Sequence, residues 1–133
     1  ATPEVMKMKN TVVLPHLGAS TKEAEDNCAI MAVREMVDYF ENGNITHSVN
    51  YPDCDMGVCP EGMTRLAMLH RNVPNMIAQI TTILGEDNVN IANLMNKARG
   101  EHAYTLVDLD QPASDEAMAK IRAIEGVRRL RYI

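Results

Sequence analysis

Two hydrophobic periods alternate along the second half of the chain. Residues 65–71 form a short, largely apolar run of strand length. Residues 75–84 then place Met76, Ile77, Ile80, Ile83 and Leu84 on one helical stripe that stops at Gly85. Residues 89–98 predict a second strand, and Arg99-Gly100-Glu101 a tight turn. In residues 102–110, Tyr104 and Leu106 alternate with Thr105, Val107 and Leu109 in a third strand, which the short turn makes antiparallel to the second. Ser114 opens a second helix with Met118, Ile121 and Ile124 on its apolar stripe and Gly126 at its end. Residues 127–133 give a final strand, with Leu130 and Tyr132 on one face and Arg129 and Arg131 on the other. The order is strand, helix, strand, strand, helix, strand. It predicts a ferredoxin-like α+β fold, with two helices on one face of a four-stranded antiparallel sheet.

The first half reads differently. Residues 10–16 hold a β-branched apolar run closed by Pro15, the pattern of a buried strand in a parallel sheet. Ser20 and Glu23 form a capping-box pair. A long helix is expected over residues 21–41, with Ala24, Cys28, Met31, Ala32, Met36 and Tyr39 at three- and four-residue steps and Asn42-Gly43 at its end. From residue 46 to 63, prolines, glycines and aspartates interrupt every period, so a connection is expected there. The predicted organisation is an α/β piece over residues 1–50, a linker over 51–63 and the βαββαβ domain over 64–133.

Composition narrows the function. Hydrophobic residues make up 46% of the 133, but aromatics only 4%, so the ten methionines and the aliphatic residues must fill the core. A formal net charge of −5 and no Trp argue against nucleic acid as a partner, which needs a basic face or stacking rings. No apolar run approaches a membrane span. Three cysteines, Cys28, Cys54 and Cys59, suit a reducing cytoplasm. Free thiols in the connection are the expectation for Cys54 and Cys59, and no metal site is expected.

Candidate chemistry gathers at element boundaries. His70 and Asn72 stand where the first strand of the βαββαβ unit ends, and Pro74 is suited to open the helix after it, with Asn72 as a cap type. Free N–H groups at a helix start favour a carboxylate. Asn90 and Ile91 begin the second strand. Taken locally, Asn72 is equally a cap, Asn90 a turn residue and His70 a strand-end side chain. His16 follows a strand and precedes a capped helix, which is where α/β enzymes place catalytic groups, but a lone histidine is more often structural.

Two sets of residues resemble a known family. Pro15-His16-Leu17-Gly18-Ala19-Ser20-Thr21 is similar to the catalytic-histidine segment of the D-isomer-specific 2-hydroxyacid dehydrogenases. His70-Arg71-Asn72-Val73-Pro74 and Val89-Asn90-Ile91-Ala92, with the strand over 103–110, resemble the ACT regulatory domain carried by some of them. The resemblance implies an acid–base role for His16 in hydride transfer between a 2-hydroxy acid and NAD. It also implies an amino-acid effector, L-serine in such proteins, held at an interface between two copies by His70 and Asn72 of one and Asn90 and Ile91 of the other. The pattern differs at Asn75, commonly Gly, and at Val73, commonly polar or charged in serine-sensitive members. No G-x-G-x-x-G fingerprint occurs in the sequence, so no cofactor site is expected within it, nor catalysis by this chain alone. The implied protein is a cytoplasmic oxidoreductase that binds a small amino acid and assembles as a homodimer or larger homo-oligomer. A non-catalytic ACT-type sensor or dimerisation module is the alternative. A dinucleotide fingerprint upstream in the parent reading frame would separate the two.

Overall fold

The computed structural model describes residues 3–133. They form two compact units, one running to Arg34 and the other spanning Glu35–Ile133.

In the first unit, Val5–Lys7 make a single 3-10 turn, and helix α1, Lys22–Asn42, begins. Thr21 Oγ1 accepts the Ala24 N–H at 3.2 Å, so the cap is Thr21 and lies one residue later than the Ser20 of the capping-box pattern. Residues 11–15 adopt no regular structure, although a strand was expected there. Strand conformation needs a ladder partner, and none of the described residues supplies one. Val12, Leu14 and Leu17 are consequently exposed.

The second unit is built on a four-stranded antiparallel sheet in the order β2-β3-β1-β4. The strands are β1, Thr64–Arg71, β2, Ile91–Arg99, β3, His102–Leu109, and β4, Val127–Tyr132. Helices α2, Met76–Glu86, and α3, Asp115–Ala123, cover one face. This is the predicted ferredoxin-like arrangement. Its core joins Leu66 and Met68 of β1 and Val107 and Leu109 of β3 to Ile80 and Leu84 of α2 and Met118 and Ile121 of α3. Ser114 caps α3 by accepting the Ala117 N–H, and Asp87 accepts from both the Ser114 hydroxyl, at 2.6 Å, and its N–H, at 2.7 Å. Those two bonds hold the Asp87 carboxyl below its ordinary pKa.

The opposite face of the sheet is covered too, by the segment after α1. Ile45 and Cys54 are joined by an isolated antiparallel bridge and pack on Ala67, Tyr104 and Leu106. Two side chains, Arg65 and Tyr104, fasten this strap, and Arg131 holds the end of α1 before it. Arg65, fully buried, pairs with Asp108 through Nε at 2.6 Å and Nη2 at 3.0 Å. Its Nη1 donates to the carbonyls of Asn42 and Gly57 at 2.9 and 2.6 Å. The hydrogen bonds to Asp108 raise the pKa of the guanidinium further. Tyr104 donates its hydroxyl to the Gly43 carbonyl at 2.6 Å, and burial pushes the phenol well above its ordinary range. Arg131 donates to the Tyr39 carbonyl in the last turn of α1 and lies 4.2 Å from the Tyr39 ring centroid. Gly43 sits at φ +76°, where an added Cβ would be strained and would stand 3.0 Å from Leu106 Cδ2, so glycine eases the exit of the chain from α1 this close to the sheet. Burial also pushes the Cys54 thiol up to about 11, which keeps it protonated at neutral pH.

Candidate functional site

β1 and β2 deliver the candidate residues to opposite ends of the sheet. His70 pairs with Ala103 at one end, next to the β2–β3 turn, whereas Ile91 pairs with Leu109 at the other. Six residues of β3 separate the two levels, roughly 20 Å at 3.3 Å per residue. Within one chain, therefore, His70 and Asn72 cannot share a small ligand with Asn90 and Ile91.

The loop after β1 is tied down by its backbone. The Arg71 N–H donates to the Gly126 carbonyl at 2.8 Å, and the Asn72 N–H to the Glu101 carbonyl at 2.9 Å. The Asn72 side-chain amide donates to the Gly100 carbonyl at 3.1 Å, so Asn72 closes onto the β2–β3 turn and does not cap α2. Helix α2 starts at Met76, with Asn75 as its flanking residue and no side-chain cap. The expected start at Pro74 is thus two residues early. Asn75 has φ +65°, a left-handed conformation that glycine adopts freely and that asparagine tolerates better than most residues. This gives a physical reason for Gly or Asn at that position.

His70 is 2% exposed. Its Nδ1 stands 2.8 Å from the Arg71 carbonyl and its Nε2 2.7 Å from Thr105 Oγ1. Both ring nitrogens are engaged inside the chain. Thr105 Oγ1 in turn lies 2.9 Å from the side-chain amide of Asn96 on β2. Neither Thr105 nor Asn96 was singled out from sequence. The available signal was a hydroxyl at Thr105 amid the apolar run of β3, in a strand covered on both faces.

At the far end, the Asn90 N–H donates to Asp110 Oδ1 at 3.0 Å, and its carbonyl accepts the Asp110 N–H at 3.1 Å. The Asn90 side chain is exposed, and Ile91 is half-buried. A depression of about 350 Å³ beside the loop is lined by Arg71, Val73, Pro74, Gln79, Glu125 and Gly126. It contains none of the four candidates. His16, in the first unit, is exposed. No group of three or more potential metal-ligating side chains occurs among the described residues, and all three cysteines are free thiols. No helix is long and apolar enough to cross a membrane among those residues.

Comparison with known proteins places the whole sequence. D-3-phosphoglycerate dehydrogenase from Escherichia coli is 28% identical over 134 aligned positions, which take in 99% of this chain and 32% of that protein. The enzymes of the same name from Haemophilus influenzae and Dictyostelium discoideum are each 31% identical, over 93% and 98% of this chain and 30% and 31% of their own lengths.

The chain is a relative of the D-3-phosphoglycerate dehydrogenases.

It spans about a third of the length of the curated relatives it matches. No family model matches it. Among solved structures, the ACT domain of a GTP pyrophosphokinase from Chlorobium tepidum is 18% identical, covers 53% of this chain and 96% of that one, and has a TM-score of 0.47. The regulatory subunit of aspartate kinase from Thermus thermophilus is 14% identical over 54% of this chain and 52% of that one, with a TM-score of 0.45. At these values they add nothing to the topology read directly from the strand order. The dehydrogenase relatives, by contrast, align with both units of the chain.

Proposed function

We propose that this chain is the regulatory portion of an NAD-dependent D-3-phosphoglycerate dehydrogenase. Residues 1–50 belong to its catalytic region, 51–63 connect, and 64–133 form an ACT-type domain that binds an amino-acid effector, L-serine first among candidates, where two copies meet. The whole protein would oxidise 3-phosphoglycerate in the cytoplasm to supply L-serine synthesis. His16 would be the acid–base group there. NAD belongs to that whole protein, because the residues of this chain offer no glycine-rich pyrophosphate grip.

The observation that carries the regulatory reading is the separation of the candidates to opposite ends of the sheet, with Asn72 closed onto the turn at one end of the free β2 edge and Asn90 at the other. β2 has β3 on one side only. A second β2, paired antiparallel about Met95, sets the partner's Asn90 opposite Gly100, whose carbonyl already accepts from Asn72. Residues that lie about six strand levels apart in one sheet then come together across two. The same pairing sets Lys97 opposite Asn93 and Arg99 opposite Ile91, so no like charges meet. The other edge, β4, behaves oppositely. Pairing two copies about Arg129 or Leu130 sets arginine against arginine. Asn72, with its amide oxygen free to accept, and the partner's Asn90 and Ile91 would then contact the ammonium and carboxylate of the effector, with His70 behind them.

Calorimetry with L-serine, glycine and L-alanine on a sample shown to be dimeric tests this. A saturable heat with at least one of them is expected. Asn90→Ala should weaken that binding by about 1.5–3 kcal/mol, the value of a hydrogen bond to a charged group. An unchanged affinity removes Asn90 from the site, and no heat for any of the three in a dimeric sample removes the effector reading.

A further inference from the structure

We infer that Thr105 and Asn96 are positioning residues for the loop at Asn72, acting through His70. The inference rests on the effector reading above for its consequence, but not for its geometry. Three strands contribute one side chain each: His70 from β1, Thr105 from β3 and Asn96 from β2. They make one hydrogen-bonded line across the helix-covered face of the sheet, with contacts of 2.7 and 2.9 Å.

The chemistry of the line sets its direction. The Arg71 carbonyl can only accept, so Nδ1 of His70 carries the proton at the 2.8 Å contact. In the neutral ring Nε2 is then an acceptor, and the Thr105 hydroxyl donates to it. With its one hydrogen spent, Thr105 Oγ1 accepts from the Asn96 amide. A half-turn of that amide puts its NH2 at the 2.9 Å contact that its oxygen now occupies. Every group is satisfied in this arrangement.

The line has a use beyond filling space. Thr105 is fully buried, and valine has nearly the same shape there without a hydroxyl to satisfy. The hydroxyl anchors the His70 ring at Nε2, and so keeps the Nδ1 proton aimed at the carbonyl of Arg71, the residue before Asn72. Of the other restraints on this loop, Arg71 N–H to Gly126 and Asn72 N–H to Glu101 are backbone bonds, and the Asn72 amide ends on the Gly100 carbonyl. Only the His70 restraint leads through side chains to β2, where Asn96 is exposed on the free edge. Pairing of a second chain on that edge would therefore act on the orientation of Asn72 through Asn96, Thr105 and His70. Neither Thr105 nor Asn96 touches the effector in this scheme.

The test uses three variants, Thr105→Val, Thr105→Ser and Asn96→Leu, first without ligand. At about pH 8, where an unperturbed histidine is neutral, nitrogen NMR of the imidazole should show His70 as the Nδ1–H tautomer in the wild type. Thr105→Val should move the Nε2 resonance, which loses its donor, and speed amide exchange at residues 72–75. Thr105→Ser should restore both. In L-serine calorimetry, Thr105→Val should weaken binding about tenfold, the size of one lost buried hydrogen bond. Thr105→Ser should bind as the wild type does, and Asn96→Leu should fall between. A wild-type ring that is protonated or in the opposite tautomer overturns the inference, as do an Nε2 resonance and loop exchange unchanged in Thr105→Val. Where the wild type binds none of the amino acids, the effector reading fails, and the imidazole spectra still decide whether Thr105 sets His70.

Discussion

The two faces of the sheet are closed by different chemistry. On one, α2 and α3 press aliphatic side chains such as Ile80, Leu84 and Ile121 onto Leu66, Met68 and Val107. That attraction is non-directional, and its strength follows the apolar area removed from water. On the other face a strap without regular structure lies on the sheet. A strap must satisfy its own backbone groups, because no helix or ladder does so for it. Arg65 and Tyr104 supply that by reaching up from β1 and β3 to the carbonyls of Asn42, Gly43 and Gly57. Beneath it Ile45 and Cys54 pack on Ala67, Tyr104 and Leu106, with partly buried Tyr51, Met56 and Leu69 around them. A helix can be held by packing alone, but an irregular segment needs a buried donor for each carbonyl it covers.

Substitutions on each face can break this contrast. Asp108→Ala leaves the Arg65 guanidinium buried and unpaired, and should cost about 3–5 kcal/mol in urea unfolding. The double change Arg65→Met with Asp108→Leu sharpens the point. A buried pair replaced by apolar residues is often neutral, but here the Asn42 carbonyl loses its Arg65 donor and the Gly57 carbonyl keeps only the Asn44 amide, at 3.2 Å. The double variant should therefore stay about 1–3 kcal/mol below the wild type. Full recovery would mean that the strap needs only packing. Tyr104→Phe removes one buried donor and should cost about 1–3 kcal/mol, with the loss seen as faster hydrogen exchange in residues 43–57. On the helix face Ile80→Val should cost about 0.5–1.5 kcal/mol with no local change in exchange at the strap.

The smallest effect is a pH dependence at the rim of the strap. His47 Nδ1 lies 2.7 Å from Glu35 Oε1, and this hydrogen bond raises the histidine pKa above 6.5. A raised folded-state value means that the pair stabilises fully below the unfolded pKa and loses that contribution as pH rises through the folded one. The pair is exposed, so salt screens it. The urea midpoint of the wild type should exceed that of Glu35→Gln near pH 6, and the gap should close by about pH 9. A gap that widens with pH would reverse the assignment.

The helix face was legible in the sequence because its stripes repeat at helical spacing and its strands are punctuated by Gly85, Gly100 and Gly126. The strap was not. Residues 43–57 have no period, and a segment held by hydrogen bonds from elsewhere leaves no stripe of its own. The signal was in the strands: Ala67 and Leu69, like Tyr104 and Leu106, are apolar on the side facing away from the helices, so that side needed a cover. Residues 11–15 misled in the opposite direction, because a β-branched run states a preference and not a partner. At the candidate site the positions were legible, but the roles were not. Asn72 has the type of a cap and serves the β2–β3 turn instead, because the left-handed Asn75 delays the helix. His70 reads as a strand-end side chain, and only the register with Thr105 shows it engaged at both nitrogens.

The arginines of β4 also limit growth. A sheet with two receptive edges can add strands at both and extend without end, as fibrils do. Arg128 and Arg129 stand exposed on one edge of this sheet, and none of the ion pairs found among the described residues involves them. That edge repels its own copy, whereas β2 does not. Under the proposed β2 pairing each molecule would have a valence of one for strand addition, and assembly would stop at a pair.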